Sequence, residues 1–147
     1  MLEIREMTEY DIEQVGEIEE SIFSVPWSRK SFQEALNKEN TIYLVAESDG
    51  KILGYCGLWN IIGEGEITNV AVRSEYRRKK IARALLEQLL ATGKEKGVEA
   101  FTLEVRESNT GAILLYESLG FVHEGIRKNF YEKPQENAII MWKRQLD

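Results

Sequence analysis

One cysteine, one histidine and two prolines are all that the 147 residues hold of those types. A lone thiol, Cys56, excludes an internal disulfide and fits a reducing compartment. His123 has no second His and no nearby Cys with which to bind zinc, so no metal site is expected. No apolar run approaches the ~20 residues that span a bilayer. The opening Met1-Leu-Glu-Ile-Arg-Glu6 is charged from the start, unlike a secretory signal. Repeats, low-complexity tracts and linkers are missing as well. These absences predict a cytoplasmic protein folded as a single domain over residues 1–147, long enough to bury its own core.

Positive charge is also scarce, with 19 Lys and Arg against 25 Asp and Glu and a net charge of −6. An acidic chain makes a poor general nucleic-acid binder, because phosphate backbones attract broadly basic surfaces. Yet five of the seven residues at positions 77–83 are cations: Arg77, Arg78, Lys79, Lys80 and Arg83. They fall where a β-type run ending in Val70-Ala71-Val72 gives way to the helical segment Ile81-Ala82-Arg83-Ala-Leu-Leu86. Fixed cations are the wrong sign for a helix N-terminus. A multiply charged anion docked on the free N–H groups would offset both, so this turn predicts a phosphate-binding site.

Periodicity supplies the rest of the framework. Residues 2–7 read as a short strand, and Thr8 with Asp11 resembles a capping box. Ile12, Val15, Ile18 and Ile22 mark the buried stripe of a first helix. Ser28 caps a second, with Phe32, Ala35 and Leu36 turned inward. Two β-rich runs, 41–47 and 51–61, join at Ser48-Asp49-Gly50, which is a hairpin signal. Gly63-Glu-Gly65 predicts another tight turn, followed by a strand over 66–72. The cationic turn opens a helix to about residue 96, with Ile81, Leu85, Leu86 and Leu89 on its core face. Residues 99–106 alternate strictly, with Phe101, Leu103 and Val105 against Thr102, Glu104 and Arg106. Asn109 caps a last helix, strands near 121–127 and 137–143 follow, and residues 128–136 read as an exposed loop. The order βααβββαβαββ implies an α+β fold: a mixed, largely antiparallel sheet flanked by helices.

Five segments then resemble the GNAT N-acetyltransferase family over essentially the whole chain. They are Val25-Pro-Trp-Ser28, Asn69-Val-Ala-Val72, Leu103-Glu-Val-Arg-Glu-Ser-Asn109, Leu115-Tyr-Glu-Ser-Leu-Gly-Phe121 and Asn137-Ala-Ile-Ile-Met141. They look most similar to the bacterial branch that acetylates the N-terminal alanine of ribosomal protein S18. The resemblance implies acetyl-CoA as donor, bound where two parallel strands splay apart, with its pantetheine arm along Val70, Ala71 and Val72. It puts the pyrophosphate on Arg77, Arg78, Lys79, Lys80, Ile81, Ala82 and Arg83, and matches Asn109 to a cofactor contact. The family turn carries glycine where this chain has Lys80. Lysine fits the role if its backbone is helical and its ammonium swings out to the phosphate.

The implied chemistry is direct acetyl transfer from a thioester to an amine in a ternary complex. It needs an unprotonated amine, donors for the oxyanion and a proton for the leaving thiolate. Glu104 is the candidate base and Tyr116 the candidate acid. Periodicity alone allows a solvated Glu104 on an amphipathic strand and a Tyr116 engaged in packing. Main-chain N–H groups near residues 70–72, freed by a bulge, would stabilise the oxyanion. Trp27, in its Pro-Trp-Ser loop, resembles part of the family's peptide groove, and Tyr131 resembles a residue that flanks the acceptor amine. The implied partner is the S18 N-terminus, with neither nucleic acid nor membrane. Two rivals stay open: a GNAT enzyme acting on a small amine or lysine side chain, and a non-catalytic CoA-binding module.

Overall fold

In a computed structural model, residues 1–77 and 80–144 are described; Arg78 and Lys79, both assigned to the phosphate turn, lie outside the described residues. The chain runs β1 (Leu2–Glu6), α1 (Ile12–Ile22), α2 (Arg29–Leu36), β2 (Thr41–Ser48), β3 (Lys51–Ile61), β4 (Glu64–Val72), α3 (Ile81–Glu95), β5 (Ala100–Arg106), α4 (Thr110–Ser118), β6 (Val122–Glu132) and β7 (Gln135–Lys143). Strands alternate two hydrophobic faces, and each face gathers its own helices. Ile42, Leu44 and Ala46 pack on one side with Leu85, Leu86 and Leu89 of α3 and Tyr116 of α4. Tyr43 and Val45 point the other way, onto Val15 and Ile18 of α1 and Phe32 of α2. Among the described residues, no helix is long and apolar enough to cross a membrane.

The sheet order is β1-β2-β3-β4-β5-β7-β6. Among the described residues only β4 and β5 pair in parallel, through three rungs: Glu64 with Ala100, Gly65 with Phe101, and Glu66 with Thr102. Glycine is needed at that joint because Phe101 fills the space above it. A Cβ on Gly65 would stand 3.0 Å from the Phe101 ring, and one on Gly93 would stand 2.8 Å from it. Beyond the joint, β4 carries a bulge: Gly57 pairs with Asn69 and Leu58 with Ile67, leaving Thr68 as the extra residue. Such a bulge bends its strand and strengthens the local twist. Past it, β4 follows β3 to Val72 and β5 follows β7 to Arg106. Residues 70–72 and 104–106 therefore face each other without a shared ladder.

Two segments differ from their sequence-based reading. The stretch expected as a loop is a hairpin, since β6 continues to Glu132 and β7 begins at Gln135. As an edge strand exposed along nearly its whole length, β6 carries no apolar alternation to betray it. The turn between β3 and β4 is centred on Ile62 and Gly63, both left-handed at φ 52° and 85°. Gly65 instead lies inside β4.

The capping box forms as read. The Thr8 N–H donates to Asp11 Oδ2 at 2.8 Å, and the Thr8 hydroxyl accepts from the Tyr10 N–H at 3.3 Å. Arg5 donates twice to the Asp11 carboxylate, at 2.8 and 2.9 Å, and once to Glu47 at 2.7 Å. Burial alone would raise the Asp11 pKa, but the Arg5 and Thr8 donors outweigh it and hold the group below its ordinary 3.8. Its ionised form thus stabilises the fold above pH 3.8, and that contribution is lost as pH falls through the depressed value. Asp11→Asn is expected to cost about 1–2 kcal/mol at neutral pH. In urea denaturation at a series of pH values, the gap from wild type should close as pH drops below 3.8.

Candidate active site

The Arg73 N–H donates to the Leu53 carbonyl at 2.8 Å, which fixes the facing of β4. By strand alternation Ala71 also faces β3, while Val70 and Val72 turn their N–H and C=O groups into the gap beside β5. A cleft of about 720 Å³ occupies this opening. Val70, Ala71 and Val72 form one wall, and Asn109, Ala112, Leu115 and Tyr116 of α4 and its cap form the other. Arg77, Lys80, Ile81, Ala82 and Arg83 close one end. The cleft thus gathers every described residue expected to bind the cofactor, together with Tyr116.

The cationic end has the character of an anion site. The first hydrogen bond of α3 among the described residues runs from the Ala84 N–H to the Lys80 carbonyl at 3.1 Å, and among them the amides of Ile81, Ala82 and Arg83 have no partner. Among the described residues no side chain caps the helix and no acidic residue lies in its first turn. An anion would therefore meet free N–H groups, the helix dipole and three cations together. Asn109 is spoken for locally: its side chain accepts from the Ala112 N–H at 3.2 Å and caps α4. Arg83 donates to the Ser118 hydroxyl, tying α3 to α4 across the cleft.

Lys80 corrects one expectation. Its backbone is left-handed, at φ 61° and ψ 22°, not right-handed helical. The turn keeps the conformation that glycine adopts freely, and lysine bears the steric strain of about 1–2 kcal/mol.

The remaining expected residues lie outside the cleft lining. Glu104, on β5 opposite Ile140, has its Oε2 buried and without a hydrogen bond among the described residues. Arg127 Nε stands 2.6 Å from that oxygen as an ion pair, off the line of a hydrogen bond. Tyr131 sits under the Arg106 guanidinium at 4.3 Å. Burial first, then the charge of Glu104, lifts the Tyr131 hydroxyl above its ordinary value. Burial likewise holds Tyr116 far above its ordinary value, with a smaller contribution from Tyr131. Tyr131 is therefore within electrostatic reach of both. Trp27 rests its ring 5.2 Å from Phe32 and 6.4 Å from Tyr43.

Sequence reasoning missed four groups that shape this end. Arg127 covers Glu104. Arg106 donates to the Lys133 and Pro134 carbonyls at 3.1 and 2.9 Å and pairs with Glu136 at 3.1 Å. Ser24, in the α1–α2 loop, donates its hydroxyl to the Lys133 carbonyl. Glu19 is buried and accepts the Trp27 N–H at 2.9 Å. Only Glu19 left a signal, because it falls seven residues after Ile12 and four after Val15, on the apolar stripe.

The profile of the Acetyltransferase (GNAT) family matches residues 12–121 of this chain. The chain belongs to the GNAT acetyltransferase family. Acetyl-CoA is the donor that the GNAT fold uses. A relative from Bacillus subtilis is 42% identical over 140 residues, spanning 95% of this chain and 93% of its own. The Escherichia coli [ribosomal protein bS18]-alanine N-acetyltransferase is 38% identical over 134 residues, 89% of each chain. The crystal structure of the Escherichia coli ribosomal-protein-S18-alanine N-acetyltransferase superposes with a TM-score of 0.90 at 34% identity, covering 100% of this chain and 96% of that one. The GNAT fold, with its mixed sheet and splayed parallel pair, is thus the one read from the sequence.

Lys80→Gly separates strain from charge. We expect it to raise unfolding stability by about 1 kcal/mol without ligand, because glycine removes the left-handed penalty. Pyrophosphate binding should weaken several-fold with the loss of the ammonium. Urea denaturation and calorimetric titration read the two effects separately.

Proposed function

We propose that this chain is a cytoplasmic peptide α-N-acetyltransferase that moves the acetyl group of acetyl-CoA to the N-terminal alanine of ribosomal protein S18. The observation that carries the reading is the gap between β4 and β5, walled by the free amides of Val70 and Val72. It is strand-shaped, cationic at one end, and has Tyr116 in its wall. The diphosphate rests on the α3 N-terminus, Arg77, Lys80 and Arg83, and the pantetheine arm hydrogen-bonds along Val70 and Val72 as an extra strand. Arg78, Lys79 and Asn109 complete the proposed cofactor set. The Escherichia coli S18-alanine N-acetyltransferase, a relative in both sequence and structure, supports the choice of acceptor.

In this reading donor and acceptor are bound together. An α-amino group titrates near ~8, so an appreciable fraction is already the free base at neutral pH. Glu104 Oε2, ion-paired with Arg127 and without a hydrogen bond among the described residues, takes the proton directly or through a water. The nitrogen attacks the thioester carbonyl, and main-chain N–H groups of the β4 gap stabilise the oxyanion. Collapse breaks the C–S bond, and the thiolate takes its proton from Tyr116, which regains one from solvent. Burial keeps Tyr116 protonated until it is needed. Trp27 and Tyr131 flank the amine. The contact of Ser24 with the Lys133 carbonyl joins the two loops beside it, which favours the slim end of a chain over a broad folded surface.

Mass spectrometry of an S18 N-terminal peptide incubated with enzyme and acetyl-CoA tests the substrate. One acetyl group should appear on the free terminus. An N-blocked copy carrying internal lysines should stay unmodified, as should spermidine. The opposite pattern would return the enzyme to the small-amine or lysine class. Glu104→Gln should lower kcat about 10²–10³-fold, within the usual range for losing a general base. Tyr116→Phe should lower it about tenfold or more, and both variants should keep their affinity for coenzyme A. No transfer by the wild type to any of these amines, with coenzyme A affinity unchanged in both variants, would favour the non-catalytic module.

A further inference from the structure

Glu19 takes no part in the proton transfers above, yet its side chain is buried to 3% exposure beneath the acceptor loop. Its Oε2 accepts the Trp27 N–H at 2.9 Å and its Oε1 accepts the Tyr55 hydroxyl, while the Asn69 side chain, outside full hydrogen-bond geometry, is a looser third donor that lowers the pKa of the carboxyl. Burial raises the pKa of the carboxyl, and the three donors pull against that rise. A carboxylate suits this pocket because every neighbour donates. The amide of a glutamine would turn its NH₂ against one of them.

The three donors come from different parts of the chain. Trp27 belongs to the loop between α1 and α2, Tyr55 to β3, and Asn69 to β4. Asn69 directly follows the bulged Thr68 and directly precedes Val70. Its Oδ1 accepts the Thr68 hydroxyl at 2.6 Å and the Tyr43 hydroxyl at 3.3 Å. Trp59 completes the network by donating its indole N–H to the Tyr43 oxygen at 3.1 Å. One buried charge therefore ties the loop carrying Trp27 and Ser24 to the bulge that aims the Val70 and Val72 amides.

We infer that Glu19 is a positioning residue for the transfer: it holds the acceptor loop in a fixed relation to the bulged strand that receives the thioester. This rests on the transfer reaction proposed above. Reacting atoms must meet at near-attack distance, and a displacement of about 1 Å can cost roughly 10²-fold in rate. Glu19 touches neither substrate. The phosphate-binding turn lies at the cationic end of the cleft, outside the Glu19 network.

The test is Glu19→Gln in the full chain, with kcat, KM for the S18 peptide and the calorimetric Kd for coenzyme A measured side by side. We expect kcat to fall ten- to a hundredfold and the peptide KM to rise several-fold, with the Kd for coenzyme A within twofold of wild type. Fluorine NMR of fluorotryptophan-labelled protein gives a readout independent of activity: the Trp27 resonance should shift or broaden while that of Trp142 stays. An unchanged kcat and peptide KM would overturn the inference, as would a parallel loss of kcat and coenzyme A affinity with an unmoved Trp27 resonance. Should Glu19→Gln not fold, Asn69→Ala removes the side chain through which the network reaches β4 and leaves the Glu19 bond to the Trp27 N–H intact. It should lower kcat with the Trp27 resonance in place, and wild-type kcat there would overturn the inference equally. A wild-type enzyme that ignores the S18 peptide would sink the substrate proposal instead, and the Trp27 spectrum would still decide what Glu19 holds.

Discussion

The parting of β4 from β5 is the constraint on which the rest of the structure depends. A sheet interior normally satisfies every N–H and C=O through its ladders, and an unpaired backbone group is costly once water is excluded. Here the ladder stops after three rungs in the middle of a seven-stranded sheet. The halves are pinned at one end by Phe101 over Gly65 and Gly93 and driven apart at the other by the extra residue Thr68. The amides of Val70 and Val72 are left pointing into an open cleft. A ligand able to hydrogen-bond like a strand and carry a diphosphate at one end would complete both the sheet and the helix terminus.

Charge is distributed to the same purpose. The chain is acidic overall, and Arg77, Lys80 and Arg83 all line one end of the cleft. Lys80 stands there in a conformation that costs lysine energy, and backbone strain of this kind collects at binding sites. Two carboxylates with buried oxygens are handled differently. Glu104 keeps one buried oxygen free of hydrogen bonds among the described residues, with Arg127 beside it. Glu19 is saturated by donors, and its charge serves to hold main chain in place. Two carboxylates of the same type thus take different work from their surroundings.

How much of this was legible in the sequence depended on whether the signal was local. The capping box at Thr8 and Asp11, the Ser28 cap and the alternation of Phe101, Leu103 and Val105 are properties of neighbours, and each formed as read. The cationic turn was visible for the same reason, whereas the cleft wall at residues 70–72 was implied only by the family resemblance. The left-handed Lys80 was hidden because nothing in its own side chain favours that conformation. The Thr68 bulge was hidden because it depends on how β3 and β4 register. There, the Tyr43 ring would stand 2.0 Å from a Cβ on Gly57. The hydroxyl of Ser24 reaches a carbonyl 109 residues away, a pairing that no window of sequence contains.

That last contact has a counterpart between α3 and α4. Arg83, at the cationic end of the cleft, donates to Ser118, while Ser24 and Lys133 join the α1–α2 loop to the turn between β6 and β7 outside the cleft lining. Both are exposed hydrogen bonds, each worth about 0.5–1.5 kcal/mol net. The joint at Phe101 is of another kind, a fully buried ring wedged against two glycines, whose loss would leave a cavity costing about 3–5 kcal/mol. The divergence is therefore anchored strongly at its root, and these outlying contacts are light. They can part at small cost while the root keeps β4 and β5 in register.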